Sequence, residues 1–274
     1  MDRQVELATQ RAPSFGSRLK SALYLLAASI LSPAWGDIAL DESIALDYRV
    51  IAAYPHRNTA FTQGLIFDQG VLYESTGGYG ESALARVDLV SGRWLAERRL
   101  PDEYFGEGLT VVGDILIQLT WQAGIALVYD RHLKPERALA YPGEGWGLTS
   151  DGQSLFMSDG SATLYRREPE SMALQGRVEV SYLGNPVDRL NELEWIEGLV
   201  WANRWGDDLI LVIDPVSGDV IHWLDMSELR GGGWRWRFAR ELNGIAYDTE
   251  TKHVLVTGKN WPDLFVLELD QFPE

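Results

Sequence analysis

Residues 105–130, FGEGLTVVGDILIQLTWQAGIALVYD, contain the pattern that decides the fold. Three short apolar runs follow one another here, and short segments that contain glycine separate them. Runs of this length, rich in Val, Ile and Leu and bounded by tight turns, are typical of antiparallel β-strands. A Gly-Leu pair opens the first run and an aspartate ends the third. The stretch therefore predicts one unit of an all-β fold in which consecutive strands are neighbours.

The same plan occurs four more times, starting near residues 61, 145, 193 and 242. The repeat is roughly 40–50 residues long, the length of a four-stranded propeller blade. A fourth strand is predicted in each of the first four repeats, but the fifth ends without one. Residues 48–54 have no repeat of their own, so we expect them to supply the missing strand. The sequence predicts a five-bladed β-propeller whose last blade is closed by the N-terminal strand; a β-sandwich is the alternative.

Two stretches between the repeats, residues 183–191 and 226–240, are longer than the other connections. The second contains the sequence GGGWRW at positions 231–236. We expect this segment to form a loop near the rim of the pocket.

The N-terminal residues differ in composition from the rest of the chain. Basic residues between positions 3 and 20 precede an apolar run at 22–31, and Ala34-Trp35-Gly36 follows. This pattern is typical of a signal peptide, and the run is shorter than the roughly 20 residues that span a bilayer. We expect cleavage near Gly36/Asp37, so that residues 1–36 are removed and residues 37–274 form the propeller in the periplasm or outside the cell. An uncleaved anchor is the alternative.

The composition excludes several classes of function. The formal net charge is −16, with 40 acidic and 24 basic residues. Binding to nucleic acid or anionic lipid is not expected, because phosphate recognition needs a basic surface. The negative field either attracts a cationic ligand, such as a peptide amino terminus, or only keeps the protein soluble. The chain has no cysteine and therefore no disulfide or thiolate chemistry. We expect a monomer.

Polar and aromatic residues recur where the predicted strands reach the central channel. The inner strand of each blade lines that channel, and the strand ends form the pocket. The inner strands begin at Gln63, Glu107, Trp146, Asn191 and Asn243, and the second strands end at Trp121, Trp205 and Lys259. Taken singly, the tryptophans could be core residues, the asparagines turn formers and the lysine a solvated side chain. Glu107 stands between two glycines with no local packing role, and it is the candidate acid–base group.

The four histidines are scattered through the sequence at positions 56, 132, 222 and 253. Their spacing does not match that of zinc ligands. No metal and no cofactor are therefore expected.

A set of ordered motifs resembles that of the plant- and bacterial-type glutamine cyclotransferases, and the match spans roughly residues 48–269. The motifs are Phe61-Thr62-Gln63-Gly64-Leu65, Tyr104-Phe105-Gly106-Glu107-Gly108, Leu119-Thr120-Trp121, Gly145-Trp146-Gly147-Leu148, Leu190-Asn191-Glu192-Leu193-Glu194, Ala202-Asn203-Arg204-Trp205, and Leu242-Asn243-Gly244-Ile245-Ala246 with Thr257-Gly258-Lys259-Asn260-Trp261-Pro262. Each motif alone is weak, but seven in order are specific.

The resemblance implies a five-bladed propeller enzyme that converts the N-terminal glutamine of peptides and proteins to pyroglutamate and releases ammonia. It implies that Glu107 is the catalytic acid–base, with no metal involved. The substrate pocket implied by the resemblance consists of Phe61, Gln63, Phe105, Trp121, Trp146, Asn191, Trp205 and Lys259.

Two other interpretations remain open at this point. One is a non-catalytic propeller that binds peptides or sugars in a tryptophan-lined channel. The other is a lactonase-like hydrolase, which needs a clustered metal site; Asn191, Asn203 and Asn243 near the channel leave that possibility open.

Overall fold

The computed structural model describes residues 38–273, so the predicted signal peptide at 1–36 lies outside the described residues. The propeller lies within the unit Leu40–Glu274. Among the described residues, no helix is long and apolar enough to cross a bilayer.

Five antiparallel sheets of four strands form the blades. Blade 1 contains β2 (Thr62–Asp68), β3 (Val71–Thr76), β4 (Ala83–Asp88) and β5 (Arg93–Arg99). Blade 2 contains β6 (Gly106–Val112), β7 (Ile115–Thr120), β8 (Ile125–Asp130) and β9 (Pro135–Ala140). Blade 3 contains β10 (Leu148–Ser150), β11 (Leu155–Met157), β12 (Thr163–Arg167) and β13 (Leu174–Glu179). Blade 4 contains β16 (Leu190–Ile196), β17 (Leu199–Arg204), β18 (Leu209–Ile213) and β19 (Val220–Asp225).

Blade 5 combines the two ends of the described chain. It contains β20 (Leu242–Asp248), β21 (His253–Gly258), β22 (Asp263–Leu269) and β1 (Tyr48–Pro55). The strand order in this sheet is β1-β22-β21-β20. The inner strands contact one another in the order β2, β6, β10, β16, β20 and back to β2, so the ring is closed. The prediction of a five-bladed propeller closed by the N-terminal strand is confirmed.

The core lies between the faces of successive blades. One cluster joins Ile117 and Val128 of blade 2 to Leu148 and Leu155 of blade 3, and the other clusters likewise join neighbouring blades. In blade 1, the inner and second strands are buried along most of their length, whereas the outer strand β5 is mostly exposed. Burying both faces of each sheet is the driving force that stacks the blades into a ring.

Four of the five inner strands contain a β-bulge at the pocket end. The pairing register shifts between Thr62 and Gly64, between Gly106 and Leu109, between Leu190 and Leu193, and between Leu242 and Ile245. A bulge re-aims the side chains next to it and often borders a functional site. Glycines beside the bulges let the inner strands approach closely: a Cβ on Gly108 would lie 2.5 Å from the backbone nitrogen of Leu148.

Blade 4 has a glutamate where its neighbours have a glycine. The carboxylate of Glu192 accepts hydrogen bonds from the backbone N–H groups of Leu65 (3.2 Å) and Ile245 (2.9 Å). It therefore connects the inner strands of blades 1 and 5 to that of blade 4 across the channel.

The two insertions are more ordered than their sequences suggest. A small hairpin of β14 (Ser181–Tyr182) and β15 (Asn185–Pro186) spans the start of the first. The second contains short 3-10 turns at Ser227–Leu229 and Trp234–Trp236, the latter within the segment expected to be a loop.

Candidate active site

A cavity of about 160 Å³ opens at the end of the channel where the inner strands begin. Its lining residues are Gln63, Phe105, Glu107, Trp121, Trp146, Asn191, Trp205 and Lys259. All eight are candidates from the sequence, and they come from all five blades. The ninth candidate, Phe61, is not among the lining residues but packs edge-on against Phe105, with ring centroids 6.1 Å apart.

Two structural devices place these side chains. The bulges present Gln63, Glu107 and Asn191 from the inner strands. The second device is a repeated backbone hydrogen bond, in which the residue after a second strand donates to the residue that precedes the inner strand. It occurs between Trp121 and Phe105 (2.9 Å), between Trp205 and Arg189 (2.8 Å), and between Lys259 and Glu241 (2.9 Å).

Blade 1 has a glycine at the corresponding position. Gly77 donates to the carbonyl of Phe61 (2.8 Å), and a Cβ there would collide with the ring of Phe105. The absence of a side chain at Gly77 therefore makes room for one wall of the cavity.

Aromatic rings form that wall. Phe105 packs edge-on against Trp121, with centroids 5.7 Å apart, and Trp146 packs edge-on against Trp205 at 6.1 Å. Tyr79, which the sequence did not single out, contacts the outer side of Phe105 at 5.5 Å. Such rings shape a small pocket and limit the access of water to it.

Glu107 is the carboxyl group of this cavity and is 4% exposed. Burial raises its pKa well above the usual value; the charge of Lys259 opposes this shift and that of Glu144 adds to it. Gln63 donates its side-chain N–H to Glu107 Oε1 at 2.9 Å. Asn243 donates to Gln63 Oε1 at 3.0 Å, which turns the Gln63 amide N–H₂ towards the carboxylate.

Burial also raises the pKa of two other channel glutamates, Glu192 and Glu194. Both accept hydrogen bonds from backbone N–H groups, Glu194 from Tyr247 at 3.0 Å. Neither lines the cavity. Of these three carboxyl groups, Glu107 alone faces a space that a ligand can occupy, and a perturbed group in a cleft is typical of a functional site.

Lys259 and Asn191 supply further polar groups. Burial lowers the pKa of Lys259, whereas Glu107 and Glu241 oppose that shift. Its ammonium lies 5.0 Å from the ring centroid of Phe61. The buried Oδ1 of Asn191 accepts no hydrogen bond from residues 38–273, so a donor group on a ligand can use it.

Glu144 was missed by the sequence reasoning, although it holds two walls of the cavity. Its Oε2 accepts the indole N–H groups of Trp121 (2.8 Å) and Trp146 (3.2 Å). The one signal in the sequence was its place in a glycine-flanked turn, two residues before Trp146.

Two of the three asparagines that left a metal site open, Asn203 and Asn243, hydrogen-bond to neighbouring blades. Asn203 Oδ1 accepts the N–H of Gly244 (2.8 Å), and Asn243 contacts Gln63 and the carbonyl of Thr62. Within residues 38–273, no three His, Cys, Asp or Glu side chains are grouped as ligands for a metal ion.

Comparison with known proteins adds independent information. A family model described as glutamine cyclotransferase matches residues 22–269. A glutaminyl-peptide cyclotransferase of Arabidopsis thaliana is 40% identical over 247 residues, which are 86% of this chain and 77% of that relative. The crystal structure of Myxococcus xanthus glutaminyl cyclase is similar with a TM-score of 0.76 and 38% identity, covering 84% of this chain and 99% of the other. Every residue of the cavity lies within the range that the family model matches.

Proposed function

Because the chain belongs to the glutamine cyclotransferase family, we propose that it converts the N-terminal glutamine of peptides and proteins to pyroglutamate with release of ammonia. The observation that carries this proposal is the carboxyl of Glu107. It is buried, its pKa is raised, and it faces a cavity enclosed by aromatic rings. A cavity of about 160 Å³ suits a single amino-acid residue rather than a larger ligand.

In the reaction, the α-amino nitrogen attacks the carboxamide carbon of the same residue, and the C–N bond to the leaving ammonia then breaks. Since nucleophile and electrophile belong to one residue, no covalent enzyme intermediate is needed. The aromatic walls hold the side chain folded back, with the reacting atoms close together; such positioning is a large part of the rate enhancement in intramolecular reactions.

Glu107 moves the proton. A peptide α-amine has a pKa of about 7.7–8.0 and must lose a proton when it attacks. The ionised carboxylate of Glu107 accepts that proton and then delivers it to the departing nitrogen. A carboxyl whose pKa is raised towards the working pH can perform both steps, because it is a competent base and a competent acid in the same range.

Two neighbours complete the site. Lys259 is the cationic donor for the oxyanion that develops on the carboxamide oxygen, and its charge also limits the rise in the pKa of Glu107. Asn191 Oδ1 accepts a hydrogen bond from an N–H of the substrate and so orients it.

The test of this function is the release of ammonia from a short peptide that begins with glutamine, in the presence of a chelator. We expect ammonia together with a peptide whose amino terminus is blocked, and no ammonia from the same peptide beginning with asparagine. Failure of folded protein to release ammonia would contradict the proposed activity and would favour a peptide-binding propeller.

We also propose that residues 1–36 direct export and are removed, which places the propeller in the periplasm or outside the cell. The basic N-terminal residues and the apolar run at 22–31 support this proposal. N-terminal sequencing of the exported protein is expected to begin at or near Asp37; a first residue of Met1 would contradict cleavage.

A further inference from the structure

A groove lined by arginine lies beside the catalytic cavity. Its volume is about 450 Å³; Asn58, Thr59 and Asn260 form one side, and Arg237, Phe238 and Arg240 form the other. We call it the arginine groove. The mechanism above uses none of these side chains.

Residues of the arginine groove adjoin Lys259 of the catalytic cavity in sequence and in space. The N–H of Arg240 donates to the carbonyl of Lys259 at 2.8 Å. The guanidinium carbon of Arg240 lies 5.9 Å from the ring centroid of Phe61, the same ring that the Lys259 ammonium approaches. On the other side, the N–H of Asn260 donates to the carbonyl of Ala60 at 2.8 Å. A peptide that leaves the cavity past Phe61 therefore enters the groove.

The segment that carries these arginines is fixed to the propeller at two points. Arg235 pairs with Asp263 at 2.8 Å, and Arg230 pairs with Asp208 at 3.5 Å. The aromatic and arginine side chains of residues 230–240 are thus held beside the cavity on a defined backbone.

The two groove arginines have no acidic partner among residues 38–273. Arg237 instead lies over the rings of Phe238 (4.5 Å) and Trp234 (5.1 Å). The lining contains no acidic residue. Glu241, the nearest acid in sequence, acts on Lys259 rather than lining the groove. Two accessible cations therefore face an open space in a protein whose net charge is −16.

We propose that the arginine groove binds acidic side chains located soon after the N-terminal glutamine, so that the preferred substrates are peptides and proteins with Asp or Glu in positions 2 to 4. The proposal rests on the proposed cyclotransferase activity and names its substrate class. Guanidinium groups recognise carboxylates through two parallel N–H donors, which gives orientation as well as attraction.

The whole-protein charge predicts the opposite preference. A net charge of −16 attracts basic peptides and repels acidic ones over long distances. Preference for acidic peptides therefore points to a local cationic site, and the sign of the preference separates the two explanations.

The test compares kcat/KM for glutamine-initiated peptides of one length that carry Glu, Ala or Lys at position 2, 3 or 4. For the wild type, we expect at least one acidic peptide to exceed its alanine counterpart by roughly three- to tenfold, mainly through KM, with the difference shrinking as salt rises. In the double variant Arg237→Gln, Arg240→Gln the acidic-to-alanine ratio falls towards one. Arg237→Glu reverses the preference in favour of lysine.

Arg93→Gln is the matched control, because Arg93 is an exposed arginine at the opposite end of blade 1 and should leave the ratio unchanged. A wild-type ratio at or below one, or a ratio that survives in the double variant, overturns the proposal while leaving the cyclotransferase activity intact. Absence of ammonia from every peptide, alanine series included, contradicts the proposed function itself.

Discussion

Glu144 is the residue that couples the shape of the cavity to the protonation of Glu107. It holds the indoles of Trp121 and Trp146, and its negative charge contributes to the raised pKa of Glu107.

Glu144→Gln removes that negative charge, so the pKa of Glu107 should fall. The acidic limb of the profile of kcat/KM against pH should then shift to lower pH. Loss of one indole hydrogen bond should raise KM about fivefold. Gln122→Ala, which removes only the outer contact of Glu144 (3.0 Å), is the control and should change neither quantity. An unshifted profile in Glu144→Gln contradicts the coupling.

The inner strands depend on close backbone approach, since the bulges leave no room for a side chain beside Glu107. A Cβ at Gly108 would lie 2.5 Å from Leu148 N and 2.7 Å from the carbonyl oxygen of Trp146. Gly108→Ala should therefore lower the free energy of unfolding by roughly 2 kcal/mol or more, because the clash is with backbone that cannot relax. In Gly176→Ala, on an outer strand with no atom within 4 Å of the new Cβ, the change should stay within about 0.5 kcal/mol. Chemical denaturation measures the free energy of unfolding of both variants. Equal losses in Gly108→Ala and Gly176→Ala would mean that the inner strands of blades 2 and 3 are not in this contact.

A buried pair of charged groups lies where blades 5 and 1 meet and the ring closes. His56, which follows β1, bonds to Glu74 of β3 (2.9 Å) and to the carbonyl of Trp261 (2.8 Å). Burial opposes the charged forms of both groups, but their mutual attraction outweighs it, so the pKa of His56 is raised and that of Glu74 is lowered. Both groups are charged between pH 4.5 and pH 6.5, which are the ordinary pKa values of glutamate and histidine. The contribution of the pair to stability is lost as pH rises through the folded pKa of His56 or falls through that of Glu74.

His56→Ala should lower the free energy of unfolding by about 3 kcal/mol near pH 6, and by less at alkaline pH. His132 is exposed, so His132→Ala should change the free energy of unfolding little. A loss of stability in His56→Ala that does not change with pH contradicts the charged pair.

The fold and the cavity could be predicted largely from the sequence because each blade repeats the same local pattern. The period set the number of blades, and the strand ends of each repeat located Gln63, Glu107 and Lys259 at one end of the channel. The bulges could not be predicted, since they depend on pairing with the neighbouring strand. Glu192 was missed because its backbone partners, Leu65 and Ile245, lie in blades 1 and 5, which only the closed ring brings near. Glu144 was missed because the local pattern does not show that its carboxylate also reaches Trp121, 23 residues earlier in the chain.

The central claim is that Glu107 moves the proton in glutamine cyclisation, and its most direct test is the turnover of Glu107→Gln. The assay is ammonia release from a glutamine-initiated peptide, with folding checked by circular dichroism. Glutamine keeps the shape and the contact with Gln63 but cannot accept the proton, so kcat should fall by about a hundredfold or more. Glu103→Gln, an exposed glutamate in the loop before the same strand, should retain wild-type turnover. A folded Glu107→Gln variant that turns over at a rate close to the wild type would contradict the account.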